Sequence, residues 1–376
     1  PIEIRLDDEE SKFHASRFFD FPSFYEYDYY YFHYLEETEM AGKFAVVLKA
    51  RRKGYSYKSA SMMNRNYFII PNSKSYAFAA DKQFLEGDGI ITKAWSMMDF
   101  VDQNTAWAKR RAAANRVLHR RASYKNIIGG LSSEMGYKSA IIGISLQDDV
   151  KKVRGKSGKL VLFEEAGAFP DLLKAWNIAS ESMIQGNRSV GLMVGFGTGG
   201  EEGRDMMGLE ELFYNAGYNI NQVVNIWDDD VKPGSTCGFF VPAYVCLEGY
   251  IDSHGNSDEV KAKEFFLEKR DYIKKNTKDP TFIIRKIAEH PFKPQEAILR
   301  VGNVFFPVNE LKRQLGEVAS APKGTYPCKV GRLLFGVNNK VELIEDDSCI
   351  PITDYPLKSD QMNYSGAVVI YEEPVM

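Results

Sequence analysis

The chain has 376 residues, of which 44% are hydrophobic, and it carries a formal net charge of −3. This length indicates two or more domains, the hydrophobic share is enough for a packed core, and the weak net charge argues against permanent coating of nucleic acid. No apolar run approaches the ~18–20 residues that cross a bilayer, and no charged-then-apolar leader is visible, so we expect neither a membrane span nor secretion. The four cysteines are widely spaced without a C-x-x-C pair, which favours free thiols over a zinc site or a disulfide scaffold.

The first elements in chain order are an aromatic helix, an apolar strand and a second helix. The tyrosines and phenylalanines between 24 and 34 predict a helix packed on a sheet. Residues 44–48, with the sequence Phe-Ala-Val-Val-Leu, form a run typical of a buried strand. An amphipathic stretch over about 55–67 predicts the second helix.

The segment that joins this strand to this helix has the setting of a phosphate-binding loop. It reads Lys-Ala-Arg-Arg-Lys-Gly-Tyr-Ser over 49–56, and in such loops backbone N–H groups and a helix N-terminus meet the anion. Against the pattern G-x-x-x-x-G-K-[ST], Gly54 fills the second glycine position and Ser56 the hydroxyl position that binds Mg²⁺. Lys49 stands at the first glycine position and Tyr55 at the lysine position.

Because that lysine is missing, another cation must neutralise the β- and γ-phosphates. Lys49, Arg51 and Arg52 are able to supply it from the other side of the loop, whereas Lys58 sits one helical turn late. The alternative is a basic turn between a strand and a helix that binds no ligand.

The next elements continue an alternation of strands and helices. Residues 76–80 predict a buried strand, about 82–101 a helix, and 139–144 a further strand. A basic stretch lies between them: Lys109, Arg110, Arg111, Arg116, Arg120, Arg121 and Lys125. It is suited to meet phosphates, to face an acidic neighbouring subunit or to form an ordinary solvated surface.

A run of four apolar residues then leads directly into Glu164 and Glu165. Ligands of parallel sheets bind beyond the carboxyl ends of the strands, so both carboxylates are expected at that edge. The first is able to hold a hydrated Mg²⁺ with Ser56, and the second to orient and deprotonate a water, which is the Walker B arrangement of a nucleoside triphosphatase. The alternative is a solvated strand end.

A helix over about 171–185 and a strand over 190–196 follow, and Thr198 ends that strand. The alternation predicts an α/β fold of the P-loop NTPase type, with a mainly parallel sheet flanked by helices. Residues 258–275 predict a charged helix in a small lid subdomain, and about 326–376 predict a β-rich C-terminal extension.

The loop at 49–56 resembles the variant Walker A motif of large terminase subunits, the ATPases that drive double-stranded DNA into viral capsids. In that family the phosphate-binding lysine is often displaced to the start of the loop and arginines precede the glycine. Lys49 matches the displaced lysine, and Arg51 or Arg52 matches the arginine. The family usually has Asp where Glu164 stands, and the extra methylene of Glu moves the carboxylate.

Three more segments agree with that family in order and spacing, so the resemblance covers roughly residues 20–310. The Arg-Gly pair that starts at Arg154 resembles the element found just upstream of Walker B, and implies an arginine finger supplied to a neighbouring subunit. The Gly-rich run at 195–200 resembles the coupling motif and assigns Thr198 to it. Residues 290–297 resemble the segment that closes the ATPase region.

The resemblance implies an ATPase motor that translocates double-stranded DNA into a procapsid, using ATP and Mg²⁺. Glu165 is then the catalytic base, and one aromatic residue of the N-terminal segment is a candidate to lie near the adenine. The implied partners are DNA, a portal protein and a small terminase subunit, in a homo-oligomeric ring without membrane association. The implied location is the host cytoplasm and, transiently, the procapsid.

The expected domains are an N-terminal segment (1–43), an ATPase domain (44–310) with its lid at about 220–310, and a linker with the β-rich extension (311–376). We cannot match the acidic cluster of the terminase nuclease, so we expect the chain to stop before that domain and to lack nuclease activity. Two alternatives stay open: another ring-forming P-loop ATPase of the helicase kind, and a non-catalytic portal-binding module.

Overall fold

The computed structural model describes residues 2–5, 17–111, 117–147, 149–186, 188–199, 204–229, 234–277, 279–298, 329–336, 340–346 and 367–370. The chain divides into two compact units, Pro1–Gly302 and Asn303–Met376. The strands of the first unit are β1 (Ile2–Arg5), β2 (Arg17–Asp20), β3 (Ala45–Lys49), β4 (Lys74–Ala79), β5 (His119–Arg121), β6 (Tyr124–Ile128), β7 (Leu131–Met135), β8 (Ala140–Ser145), β9 (Leu160–Glu164), β10 (Ile184–Gln185), β11 (Arg188–Ser189), β12 (Leu192–Thr198), β13 (Val223–Val224), β14 (Thr236–Cys237) and β15 (Phe239–Val241). Its helices are α1 (Glu26–Met40), α2 (Tyr55–Ile69), α3 (Ile90–Asn104), α4 (Leu172–Met183), α5 (Arg204–Tyr214), α6 (Glu259–Asn276), α7 (Pro280–Glu289) and α8 (Pro294–Ala297).

A seven-stranded sheet in the order β15-β3-β12-β9-β4-β8-β5 forms the centre of this unit. Every neighbouring pair is parallel except β5 with β8. Strands β3 and β9 are buried over their whole length, which explains their continuous apolar sequences. The predicted α/β fold with a mainly parallel sheet flanked by helices is therefore confirmed.

Helices cover both faces of the sheet. On one face Tyr31 of α1, Met63 of α2 and Ile91 of α3 belong to one buried apolar cluster. On the other face Trp176 of α4 packs against Phe163 of β9 with ring centroids 5.3 Å apart, in a second cluster. The predicted packing of the aromatic N-terminal helix on the sheet is thus found in α1.

The prediction of one continuous helix over 82–101 is wrong. A short 3-10 turn spans Lys82–Phe84, and α3 begins only at Ile90. Gly87 has a φ of +60°, and a Cβ at Gly89 would lie 2.4 Å from the carbonyl oxygen of Phe84. Both positions need glycine, and the left-handed conformation at Gly87 interrupts the helix.

Five residues of the basic stretch around 109–125 have partners within the chain: three arginines pair with carboxylates, and Lys109 and Arg110 lie over aromatic rings. Arg111 pairs with Asp102, Arg120 with Asp99, and Arg121 with Glu134. The guanidinium of Arg110 lies 3.8 Å from the centre of the Tyr124 ring, and the ammonium of Lys109 lies 4.2 Å from that of Tyr137. Arg116 lies outside the described residues. These contacts favour the ordinary-surface interpretation over a phosphate-binding stretch.

The region predicted as a lid divides between the sheet and a helical layer. Strand β15 lies in the seven-stranded sheet beside β3, whereas β13 and β14 form a separate two-stranded sheet and the helices α6, α7 and α8 follow after Val241. Arg270 of α6 bonds both carboxylate oxygens of Glu296, at 3.0 and 2.8 Å, and also the carbonyl of His290, at 2.9 Å. These bonds tie α6 to α8 and to the segment that connects α7 with α8.

The second unit contains a three-stranded antiparallel sheet in the order β17-β16-β18, formed by β16 (Lys329–Phe335), β17 (Val341–Glu345) and β18 (Ala367–Ile370). The strands lie within the region that the sequence predicts to be β-rich. Across the described ranges of both units, no helix is long and apolar enough to cross a membrane. The boundaries predicted at 43/44 and 310/311 stay predictions.

Candidate active site

The basic loop joins the carboxyl end of β3 to the first turn of α2. Gly54 caps that helix in the left-handed conformation, with a φ of 71°. Arg52 also has a positive φ, 63°, and is exposed. The loop lies beside β15 and α7. The N–H of Ala50 donates to the carbonyl of Val241 in β15, and the N–H of Arg51 donates to that of Glu289 in α7, each at 2.9 Å.

Ser56, in the first turn of α2, contacts the first carboxylate of the acidic pair. Its hydroxyl donates to Oε1 of Glu164 over 2.6 Å. Glu164 ends β9 and is only 4% exposed. Burial and the adjacent charge of Glu165 raise the pKa of Glu164 to about 7, although the Ser56 hydrogen bond opposes them. Within the described part of the chain, Oε2 of Glu164 has no hydrogen-bond partner.

The side chain of Glu165 points to β12, because the backbone of this residue turns sharply. Its φ of 46° and ψ of 61° lie in the left-handed region, which costs a residue with a side chain about 1–3 kcal/mol. One carboxylate oxygen accepts a hydrogen bond from Nζ of Lys49 at 3.1 Å, and the other accepts one from the N–H of Thr198 at 3.1 Å. The strained backbone thus directs the two adjacent carboxylates to different partners.

Lys49 completes the set at the end of β3. It is 5% exposed, and its ammonium lies 2.6 Å from Oγ1 of Thr198 and 3.1 Å from Oε1 of Glu165. The contact follows from sheet register, because Lys49 pairs with Thr198 on β12, and Glu164 pairs with Phe196 on the same strand. The ends of β3, β12 and β9 therefore bring the predicted lysine, threonine and both carboxylates together.

The Gly-rich end of β12 lies against two other parts of the fold. A Cβ at Gly197 would lie 3.0 Å from the backbone nitrogen of Gly167, in the turn after β9. A Cβ at Gly199 would lie 2.4 Å from the carbonyl oxygen of Ala297 and 2.6 Å from that of Ala288. The two neighbours of Thr198 therefore contact different backbones, Gly197 that of the turn after β9 and Gly199 that of the α7–α8 region.

Three other predicted residues lie apart from this set. The guanidinium of Arg51 pairs with Glu289 at 2.6 Å, with the arginine side chain 57% exposed. Tyr55 is buried and packs edge-on against Tyr31. Arg154 is exposed in the turn that follows the 3-10 segment Val150–Val153.

Two lysines of the loop region have partners that the sequence did not indicate. Lys58 pairs with Asp28 of α1 at 2.6 Å and donates to the carbonyl of Lys53 at 2.9 Å. The ammonium of Lys53 donates to the carbonyls of Ala243 and Val245, at 2.8 and 2.5 Å. No short motif identifies carbonyl partners this distant in sequence.

The residues present fit a nucleotide with its magnesium ion. The orphaned buried oxygen of Glu164 and the Ser56 hydroxyl are hard oxygen donors, and Mg²⁺ usually combines one or two carboxylates with substrate phosphates. The N-terminus of α2 and Lys49 supply the positive potential that phosphates need. No cluster of three or more His, Cys, Asp or Glu side chains suited to a metal occurs among the residues that the structure describes. Phosphate oxygens and water molecules would supply the other ligands of the ion.

Comparison with known proteins gives no matching family model and no matching curated protein. Among solved structures, the chain is similar to the ATPase domain of the large terminase of Thermus phage P74-26, at 13% identity and a TM-score of 0.41, over 70% of this chain and 97% of that one. An arginine-to-alanine variant of the same domain is similar at 14% identity and a TM-score of 0.38, over 65% and 92% of the two chains.

Proposed function

We propose that the chain is the ATP-hydrolysing motor domain of a viral large terminase, which translocates double-stranded DNA into a procapsid. The ATPase part of this proposal is carried by one observation, the convergence of Lys49, Ser56, Glu164, Glu165 and Thr198 at one edge of a parallel sheet. The terminase part rests on the four sequence motifs in family order. The ring, the portal protein, the small subunit and the location in host cytoplasm and procapsid belong to the same proposal.

In this proposal each side chain has a separate task. Lys49 binds the β- and γ-phosphates, Ser56 and Glu164 hold the magnesium ion, and Glu165 takes a proton from the attacking water. Bound magnesium neutralises charge on the phosphate oxygens. Because Lys49 pairs with Glu165, phosphate binding by this lysine competes with the ion pair and makes the carboxylate more available to water.

The direct test is magnesium-dependent ATP hydrolysis by the full chain, with and without duplex DNA. Stimulation by duplex rather than single-stranded DNA supports a packaging motor, whereas the reverse preference supports a helicase-like ATPase. A folded protein that neither binds nor hydrolyses ATP but docks to a portal protein would support the non-catalytic alternative. The buried carboxylate with a free oxygen favours the catalytic interpretations.

Lys49→Ala is expected to weaken nucleotide binding or turnover by about 10- to 100-fold, because a charged donor to the phosphates is lost. Lys58→Ala is the comparison variant and is expected to have the smaller effect, since this lysine pairs with Asp28 and the carbonyl of Lys53 and not with the carboxylate pair. We expect it to affect thermal stability more than nucleotide affinity. Titration of a fluorescent ATP analogue and a melting curve separate the two effects, and the opposite ranking would indicate that Lys58 binds the phosphates.

Thr198→Val is expected to leave nucleotide binding intact and to uncouple hydrolysis from DNA movement. Valine keeps the backbone bond to Glu165 but removes the hydroxyl that accepts from Lys49, and the adjoining Gly199 contacts the α7–α8 region. The measurement compares ATP consumed with DNA packaged. Thr198→Ser, which keeps the hydroxyl, is the control, and normal packaging by the valine variant would reduce Thr198 to a local turn residue.

A further inference from the structure

The side chain of Lys53, in the basic loop, turns to the segment after β15. Its ammonium donates to the carbonyls of Ala243 and Val245, and its own carbonyl accepts a hydrogen bond from Lys58. Lys53 is therefore fixed at both its backbone and its side-chain end. It directly precedes Gly54, the left-handed residue that starts α2.

Residues 241–245, which include the two carbonyls that accept from Lys53, are held by backbone hydrogen bonds of their own. Val241 pairs with Lys49 in the sheet, and its carbonyl accepts the N–H of Ala50 at 2.9 Å. The N–H of Ala243 donates to the carbonyl of Pro291 at 2.8 Å. Residues 241–245 are thus held in place beside the loop. The side chain of Lys53 attaches the far end of the loop to them.

The positive charge of Lys53 lies against neutral hydrogen-bond acceptors. Within the part of the chain that the structure describes, no carboxylate pairs with its ammonium, and the two partners are neutral carbonyls. Burial lowers the pKa of Lys53 to about 8, so the group is still mostly an ammonium at pH 7. An unpaired positive charge beside the N-terminus of α2 adds to the potential that favours an anion there.

We propose that Lys53 is a positioning residue, which holds the loop against residues 243–245 so that Lys49 and the first turn of α2 present their donors to the nucleotide phosphates. This inference rests on the proposed function for the identity of the ligand. The attachment of the loop to residues 241–245 does not depend on the proposed function. A displacement of about 1 Å in a group that positions a substrate can cost about 10²-fold in rate.

The experiment compares Lys53→Met with Lys53→Arg in the full chain. Methionine keeps the length and apolar stem but has no donor, whereas arginine keeps the charge and is able to donate to two carbonyls. We expect Lys53→Met to lower kcat/KM for magnesium–ATP about 10- to 100-fold, mainly through KM, and Lys53→Arg to recover most of the loss. Lys274→Met, at an exposed position of α6, is the control and should change neither constant.

Hydrogen exchange without nucleotide tests the attachment independently of ATP. Lys53→Met should speed amide exchange in peptides covering 50–57 and 241–247, and leave α4 unchanged as an internal reference. This result would survive even if the parent protein proved not to bind ATP, so the failures of the two proposals are distinguishable. Unchanged exchange together with unchanged kcat/KM overturns the positioning role, as does equal impairment of the methionine and arginine variants with equal loss of melting temperature.

If Lys53→Met does not fold, Lys53→Gln takes its place. Glutamine keeps a donor but is neutral and shorter, so the proposal expects the arginine variant to lie closer to the parent than the glutamine variant in KM and in loop exchange. A glutamine variant that equals or exceeds the arginine variant overturns the proposal.

Discussion

Replacing Glu165 with glutamine should lower the turnover of ATP about 10²- to 10⁴-fold and leave ATP affinity equal or higher. The amide cannot take a proton from water. It also has one acceptor atom where the carboxylate has two, so it cannot accept from both Lys49 and the N–H of Thr198 as Glu165 does. Because the substitution removes the anion that competes for Lys49, the lysine becomes more available to the phosphates.

Single-turnover hydrolysis and equilibrium binding of ATP measure the two halves of this prediction separately. Glu181→Gln, at an exposed position of α4, is the matched control for the loss of one carboxylate and should behave as the parent does. Hydrolysis by Glu165→Gln at the parent rate would remove Glu165 from the role of general base. Loss of both binding and hydrolysis, with a lowered melting temperature, would instead show that its hydrogen bonds hold the sheet edge together.

The sequence predicted the strands that carry the candidate site, because charged residues directly follow the apolar runs of two strands. Lys49 follows one run, and Glu164 and Glu165 follow another, so their placement at one sheet edge follows from the rule for parallel sheets. The pairing of Lys49 with Glu165 did not follow. It joins residues 116 positions apart, and it depends on β12 lying between the two strands and on the left-handed turn at Glu165.

Other features were missed for reasons that differ in kind. The β6–β7 hairpin has a local signal, since Gly129 and Gly130 form the two-residue connection between its strands, and Gly-Gly is a preferred hairpin loop. The break before α3 has one too, in Gly87 and Gly89. The direction of Lys53 has none, because its carbonyl partners are set only when β15 pairs with β3. Such long-range backbone acceptors require the folded chain.

Arg154 is the other position where a large effect is expected, and there the effect should depend on neighbouring subunits. It is exposed, beyond the end of a 3-10 segment and before β9, so it is free to project into the site of an adjacent copy. A guanidinium supplied in trans to the γ-phosphate oxygens is worth about 10³–10⁵ in rate. In the proposed ring, we therefore expect Arg154→Ala to lose nearly all hydrolysis while it still binds ATP.

Mixing subunits distinguishes a trans role from a structural one. Arg154→Ala and Glu165→Gln proteins should each be inactive alone. In mixed rings some interfaces join an intact Arg154 to a site with an intact Glu165, so part of the activity should return, with a maximum at an intermediate mixing ratio. Arg188→Ala, which removes an exposed arginine from β11, is the control and should be active without mixing. If cross-linking demonstrates mixed rings and activity does not return, the result counts against a role in trans and favours the alternative, in which this exposed arginine steadies the turn at Gly155 before β9.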